Sequence, residues 1–358
     1  MDQPRFCVFC GQAPNKKNKE HVLPQWLIEL TGPPKRTVNF GANPLKGKQP
    51  RFDWSSFAFP ACSSCNEKYS GFEGAAKTVV ESLLKRTPIT GSEFITLLDW
   101  LDKVRIGLWL GYLYLHGNSA DISPRFHIES RIGQKDRMAA IYFIDTETKG
   151  LGARGAETLC FQLVPSCFSL NVNNIHVLNM SWDYMCAARC GFPFPRQMVI
   201  DIDANRMLEC SDYASTHKIK WPISVRPIIK PVMHVYQPVL QVPAEQLAEG
   251  QPDGWLKDML VAGSDRQGLL VRQRDASAEL IADLSSPIEF DEVTGIHCRP
   301  LKDIIAQTYD LQITSAKAIG YRSSNTEAVA KTRRLIRLAC QANARYRNAF
   351  AEMKRKQV

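Results

Sequence analysis

The chain has 358 residues, 44% of them hydrophobic, with a formal charge of +9. That is enough for two or three domains with ordinary cores. The opening "MDQPRFC" lacks the layout of a secretory signal, and the longest apolar run, "IGLWLGYLYL" (106–115), is short for a bilayer and follows Asp99, Asp102, Lys103 and Arg105. A secreted or membrane-bound protein is therefore set aside, and a cytoplasmic protein with no membrane partner is expected.

Residues 1–90 form the first unit, with Cys-x-x-Cys pairs on either side of a Pro/Gly/Lys-rich insert (31–51). After Cys62 the pattern turns helical: Tyr69, Phe72, Ala76, Val79, Val80, Leu83 and Leu84 recur at helical spacing. "TPITG" (87–91) is a turn signal, and an apolar helix over about 92–116 makes residues 91–118 a helical connector. Residues 119–358 read as a mixed, strand-rich α+β domain. Its expected strands are 138–145, 158–164, 168–173, 175–181, 197–203 and 233–240, with helical signals near 254–262 and 276–284. A long basic helix, about 325–355, ends the chain.

The charge sits at the two ends. Residues 1–90 hold 13 Lys/Arg against 7 Asp/Glu and residues 326–358 hold 9 against 2, which leaves the middle slightly acidic. Such ends suit a polyanionic partner. The 11 cysteines, an odd number, argue against a disulfide framework and for reduced thiols, some of them binding metal. The spacing of "CVFC" (7–10) and "CSSC" (62–65) lets Cys7, Cys10, Cys62 and Cys65 supply four thiolates to one tetrahedral zinc. Gly11 follows the first pair, where a knuckle favours positive φ. The seven remaining cysteines read as small buried hydrophobes.

Inside this staple lie "KEHVLPQWL" (19–27) and, directly after the last cysteine, Asn66 in "CSSCNEKYSGFEGAAK". The arrangement resembles the zinc-containing branch of the HNH endonucleases, the ββα-metal superfamily, and in particular bacterial and phage HNH proteins and phage junction-resolving endonucleases. The likeness covers residues 5–86. It implies an α+β protein with an N-terminal zinc-stapled ββα-metal (HNH) domain over residues 1–90. It also implies His21 as general base, Glu20 and Asn66 as oxygen ligands of one catalytic divalent cation, Mg²⁺ or Mn²⁺, and a structural zinc on the four cysteines. Two departures stand out: Glu20 replaces the usual Asp, and "SSFAFPACSSC" (55–65) lacks the asparagine that usually precedes the second knuckle, leaving Asn39 or Asn43 as substitutes. Alternation along a strand puts Glu20 and His21 on opposite faces, so both reach one phosphate only from a bent strand. Glu73, seven residues after Asn66, either approaches the metal or pairs with a local lysine.

Lys16, Lys17, Lys19, Lys35, Arg36, Lys46, Lys48, Arg51 and Lys68 surround this motif and are candidate phosphate contacts. Trp26 and Trp54 either stack on bases or pack in the small core. The basic terminal helix lies along a duplex, packs on an acidic partner chain, or is a solvated amphipathic helix. Cys186 and Cys190 lack a second pair, and His297–Cys298 reads as core or loop. The leading expectation is a DNA endonuclease (RNA not excluded), in phage defence or a mobile element by analogy of architecture. Its C-terminal domain would select the target, restrain the nuclease, or bind a partner protein or a second copy. The alternatives are a non-catalytic zinc-stapled nucleic-acid-binding module and an interaction protein whose zinc unit is architectural.

Overall fold

The computed structural model describes residues 6–14, 18–39, 51–116, 127–145, 149–190, 192–204, 207–214, 225–239, 269–274, 277–292 and 298–352. The N-terminal unit opens with β1 (Asn18–His21) and a short helix α1 (Gln25–Leu30), followed by β2 (Thr37–Asn39) and β3 (Arg51–Asp53). One 3₁₀ turn (Trp54–Ser56) leads into β4 (Ala58–Ala61), then α2 (Ser63–Leu84), β5 (Ile89–Thr90) and α3 (Gly91–His116). The chain goes on through β6 (Asp136–Phe143), β7 (Leu151–Arg154), α4 (Leu159–Leu163), β8 (Cys167–Val172), β9 (Ile175–Trp182) and α5 (Ala187–Cys190). It ends with β10 (Phe194–Asp201), β11 (Met207–Ala214), β12 (Met233–Gln237), β13 (Leu270–Arg274), β14 (Ser277–Ile281), β15 (Pro287–Ile288), α6 (Cys298–Ala318), β16 (Gly320–Arg322) and α7 (Thr326–Glu352). This is a mixed α+β fold, and among the described residues no helix is long and apolar enough to cross a membrane.

A seven-stranded antiparallel sheet in the order β14-β13-β12-β6-β9-β8-β7 is the centre of the structure. Every residue of β6 and β9 is buried, because both faces of the sheet are covered. Alternation divides β6 between two cores: Ala139, Ile141 and Phe143 join the cluster shared with α2, α3 and the N-terminal unit, while Met138, Ala140 and Tyr142 join one that includes Ile304 of α6. The result is three layers, with α6 and α7 on the side of the sheet away from α3.

The α3 helix touches both halves of the chain. The N-terminal unit packs closely on it at Gly111, where a Cβ would sit 2.3 Å from Phe57 Cζ. Earlier in the same helix, Asp102 accepts from Arg137 of β6 at 2.9 Å and from the Gly133 N–H at 3.0 Å, and it also pairs with Arg105. Burial pushes the Asp102 carboxyl up, but Arg105 and Arg137 outweigh it and hold it below the usual carboxylate range. Arg105 donates to Pro165 O at 2.6 Å, and Arg137 donates to Gln237 Oε1 at 2.6 Å, so the buried charges are hydrogen-bonded as well as paired.

The strands β7, β11, β13 and β16 lie outside the sequence expectations, and three further differences concern helices. Residues 158–164, expected as a strand, form α4, because Thr158 caps it by accepting from the Phe161 N–H at 3.1 Å. Residues 276–284, expected as helical, contain β14, where ladder pairing with β13 overrides the helix propensity of Ala, Glu and Leu. The helix α6 was not anticipated at all, because its buried face carries Gln307, Thr308, Gln312 and Ser315, which blur an apolar period. The expected helix at 254–262 lies outside the described residues.

Candidate metal centre and adjoining acidic–histidine site

The first cysteine pair sits in a tight turn. The Gly11 N–H donates to Cys7 O at 2.8 Å and the Cys7 N–H donates to Gln12 O at 2.7 Å. Gly11 has φ +75°, and a Cβ on it would lie 1.8 Å from His127 Nε2, so both backbone and space require glycine there. The second pair opens α2, with Cys62 as its N-cap and the Asn66 N–H donating to Cys62 O at 2.9 Å. The two knuckles meet: the Cys62 N–H donates to Cys7 Sγ at 3.2 Å, and Cys10 Sγ lies 3.9 Å from Cys62 Sγ.

All four sulfurs lie within 4.8 Å of one another. A tetrahedral zinc with bonds of about 2.3 Å places its sulfurs about 3.8 Å apart, whereas a disulfide needs about 2 Å. The donor set and its spacing therefore fit a structural metal such as zinc. Burial, Cys10 and Cys7 together push the Cys65 thiol up to about 12, so full ionisation of the group calls for a cation at its centre. Burial acts on Cys7 in the same sense, but backbone N–H groups of Cys10, Cys62 and Phe9 outweigh it and lower its pKa. Among the described residues this is the one group of three or more Cys, His, Asp or Glu close enough to share an ion.

The staple fixes the start of α2 against the β1–β4 pair, in which Glu20 faces Phe59 and His21 faces Ala58. Burial alternates along β1: Lys19 is exposed, Glu20 buried and His21 half-buried. After His21 the Val22 N–H still donates to Phe57 O at 3.1 Å, so β1 keeps a regular ladder through His21 without the bend expected from the sequence, and Pro24 then begins α1. Glu20 accepts from Lys103 Nζ at 2.6 Å, and the same ammonium pairs with Glu73 of α2. Lys103 comes from α3, its side chain is 1% exposed, and its Nζ lies 5.7 Å from the Phe9 ring centroid.

His21 borders this cluster. Burial lowers its pKa from the ordinary value, Lys103 and Lys19 add to that, and the Glu73 carboxylate opposes it. Its buried Nδ1 has no hydrogen-bond partner among the described residues. Burial raises the Glu73 carboxyl and Lys103 only partly offsets it. Asn66, half-buried in the first turn of α2, shares a face with Glu73 seven residues on. Glu73 thus meets a lysine, but one from α3 rather than a local one. Sequence reasoning missed Lys103, although a charged residue inside an apolar helix was the available signal.

The basic candidates fall into several places. Lys16, Lys17, Lys46 and Lys48, like Asn43, lie outside the described residues. Lys19, Lys35 and Arg51 are exposed. Arg36 donates to Ile28 O at 3.0 Å and to Thr31 Oγ1 at 2.7 Å, so its guanidinium is engaged at the carboxyl end of α1. Lys68 pairs with Glu129. Trp54 is buried, and Trp26 packs 5.8 Å from Trp100, as core residues do. Cys160, Cys167, Cys186, Cys190 and Cys340 are buried and Cys210 half-buried, while His297 lies outside the described residues. No protein-family model, curated protein or solved structure matches this chain.

Proposed function

We propose that the chain is a metal-dependent endonuclease that hydrolyses DNA phosphodiester bonds at the β1–β4–α2 unit. The observation that carries this reading is the His21 imidazole, its pKa lowered by burial and its buried Nδ1 without a partner among the described residues, near the Glu73 carboxylate. A neutral imidazole is the protonation state a general base needs near pH 7. Glu20, through the oxygen that Lys103 leaves free, and the Asn66 side-chain oxygen would hold a Mg²⁺ or Mn²⁺ ion. Few protein ligands suit Mg²⁺, which completes its shell with water and substrate phosphate. Bound there, such an ion would supply charge neutralisation at the scissile phosphate and the departing 3′ oxygen. His21 takes the proton from the attacking water, and the exposed Lys19, Lys35 and Arg51 hold the backbone phosphates.

One observation favours a second reading, a non-catalytic zinc-stapled nucleic-acid-binding module: the Lys103 ammonium already neutralises both carboxylates. The two separate in one experiment. The purified full-length protein is incubated with supercoiled plasmid and Mg²⁺ or Mn²⁺, beside His21→Ala. Nuclease action predicts metal-dependent nicking that falls by about 10²–10⁴ in the variant while gel-shift binding persists. Binding with no cutting by either protein, or cutting equal in both, overturns the catalytic assignment.

A further inference from the structure

Between α6 and α7, far in sequence from the cysteine staple, lies a groove of about 490 Å³. Its walls come from one face of α7 and the last two turns of α6, which run antiparallel across a short connection. Lys317, Arg333 and Arg337 line it, and among the described residues none of the three has a carboxylate partner. The one acid in the lining, Asp310, accepts from Arg347 at 3.0 Å and so closes the opposite end as a neutral pair. Ile313 and Ile336 supply an apolar floor between the two ends.

The groove stands on a rigid base. Directly beneath it the buried Asn343 of α7 donates to Gln312 Oε1 of α6 at 2.7 Å, and Thr158 donates to the same oxygen at 2.8 Å. The Gln312 amide donates in turn to Gly155 O at 2.9 Å and Cys167 O at 2.7 Å. Both helices are thereby tied to the Thr158 cap of α4 and to β8, which fixes the backbone positions that carry the three cations. In the lining, the Cys340 thiol is drawn down to about 7, chiefly by its hydrogen bond with Cys160, with Lys317 contributing, against burial.

Uncompensated charge at one end, an apolar floor and a neutral far end describe a compact, two-part ligand. A strand tracking α7 would need cations along the whole 21 Å or so from Arg333 to Arg347. We propose that the α6–α7 groove binds a nucleoside polyphosphate, its phosphates on Lys317, Arg333 and Arg337 and its base over Ile313 and Ile336. This inference does not depend on the nuclease reading.

Isothermal titration of the full-length protein with ATP, adenosine, inorganic triphosphate and a 20-nucleotide single strand tests it. ATP should bind more tightly than triphosphate, and adenosine weakest. Arg333→Gln/Arg337→Gln should weaken ATP at least tenfold, while Lys331→Gln/Arg334→Gln, on the same helix outside the groove, should not. All these positions are exposed, so unchanged melting confirms folding. ATP binding that is absent at millimolar concentration, or indifferent to the groove variant, overturns the proposal. Equal affinity for triphosphate and ATP removes the base subsite. Loss of single-strand binding in the groove variant, without ATP binding, makes the groove a nucleic-acid path instead.

Discussion

Lys103→Met offers the sharpest test of how the N-terminal site is held together. Methionine keeps the length and apolar stem of the side chain, so packing changes little and the lost ammonium dominates. Glu20, 9% exposed, and Glu73 then face each other without a counter-charge. Removing one partner of a buried ion pair costs roughly 3–5 kcal/mol, which is a large share of a typical stability of about 5–15 kcal/mol. Glu73, whose carboxyl burial already raises, can escape part of this by taking up a proton. Without Lys103 its folded pKa stands further above the unfolded one, so stability is retained below the unfolded carboxylate range and lost as pH rises through the folded pKa. Urea unfolding followed by tryptophan fluorescence suits the region, because Trp26, Trp54 and Trp100 lie there. The variant should unfold several kcal/mol more easily at pH 8 and much closer to wild type at pH 5. Replacing both acids, as Lys103→Met/Glu20→Gln/Glu73→Gln, should recover most of the loss at pH 8. A single variant within about 1 kcal/mol of wild type at pH 8, or a deficit equal at both pH values, would refute the reasoning.

Two further outcomes follow from the same geometry. Purified protein should carry one zinc, and Cys62→Ala should lose it and unfold the N-terminal unit while His21→Ala keeps both; metal analysis showing full zinc in Cys62→Ala counts against the staple. Burial holds His176 and His234 down to about 3, below the ordinary histidine range, so their contribution is present above about pH 6.5 and is lost as pH falls towards 3, by up to about 1.4 kcal/mol per unit for each. His176→Phe should flatten that acid limb in pH-dependent unfolding, and an unchanged slope would dismiss His176 as a contributor.

Much of the N-terminal unit was legible because its chemistry is local. Paired cysteines at matching spacing declare a common centre, Gly11 declares a turn, and the spacing of Tyr69, Ala76, Val79 and Leu83 declares the helix that follows. The buried strands β8 and β9 and the basic α7 were equally visible, as short β-rich runs and as a long periodic stretch. Partnerships across the chain were not visible. Nothing near Glu20 indicates that a lysine 83 positions later will meet it, and nothing near Asp136 sets β6 between β12 and β9. The α6 helix stayed hidden because its inward face is polar: Gln312 donates to Gly155 O and Cys167 O, and the Thr308 hydroxyl bonds Ile304 O and Ser169, a pattern that hydropathy scores as surface. A short apolar run such as 158–164 reads alike as strand or helix until a cap decides it.

The α3 helix makes the molecule awkward to divide. Lys103 serves the carboxylates of one half while Asp102 and Arg105, its neighbours, serve the guanidinium and backbone groups of the other. Cutting the chain before this helix strips the front half of its counter-ion and bares Phe57 and Phe59; cutting after it deprives the sheet of the anion that Arg137 requires. A break on either side of the helix would therefore leave a buried charge without its partner.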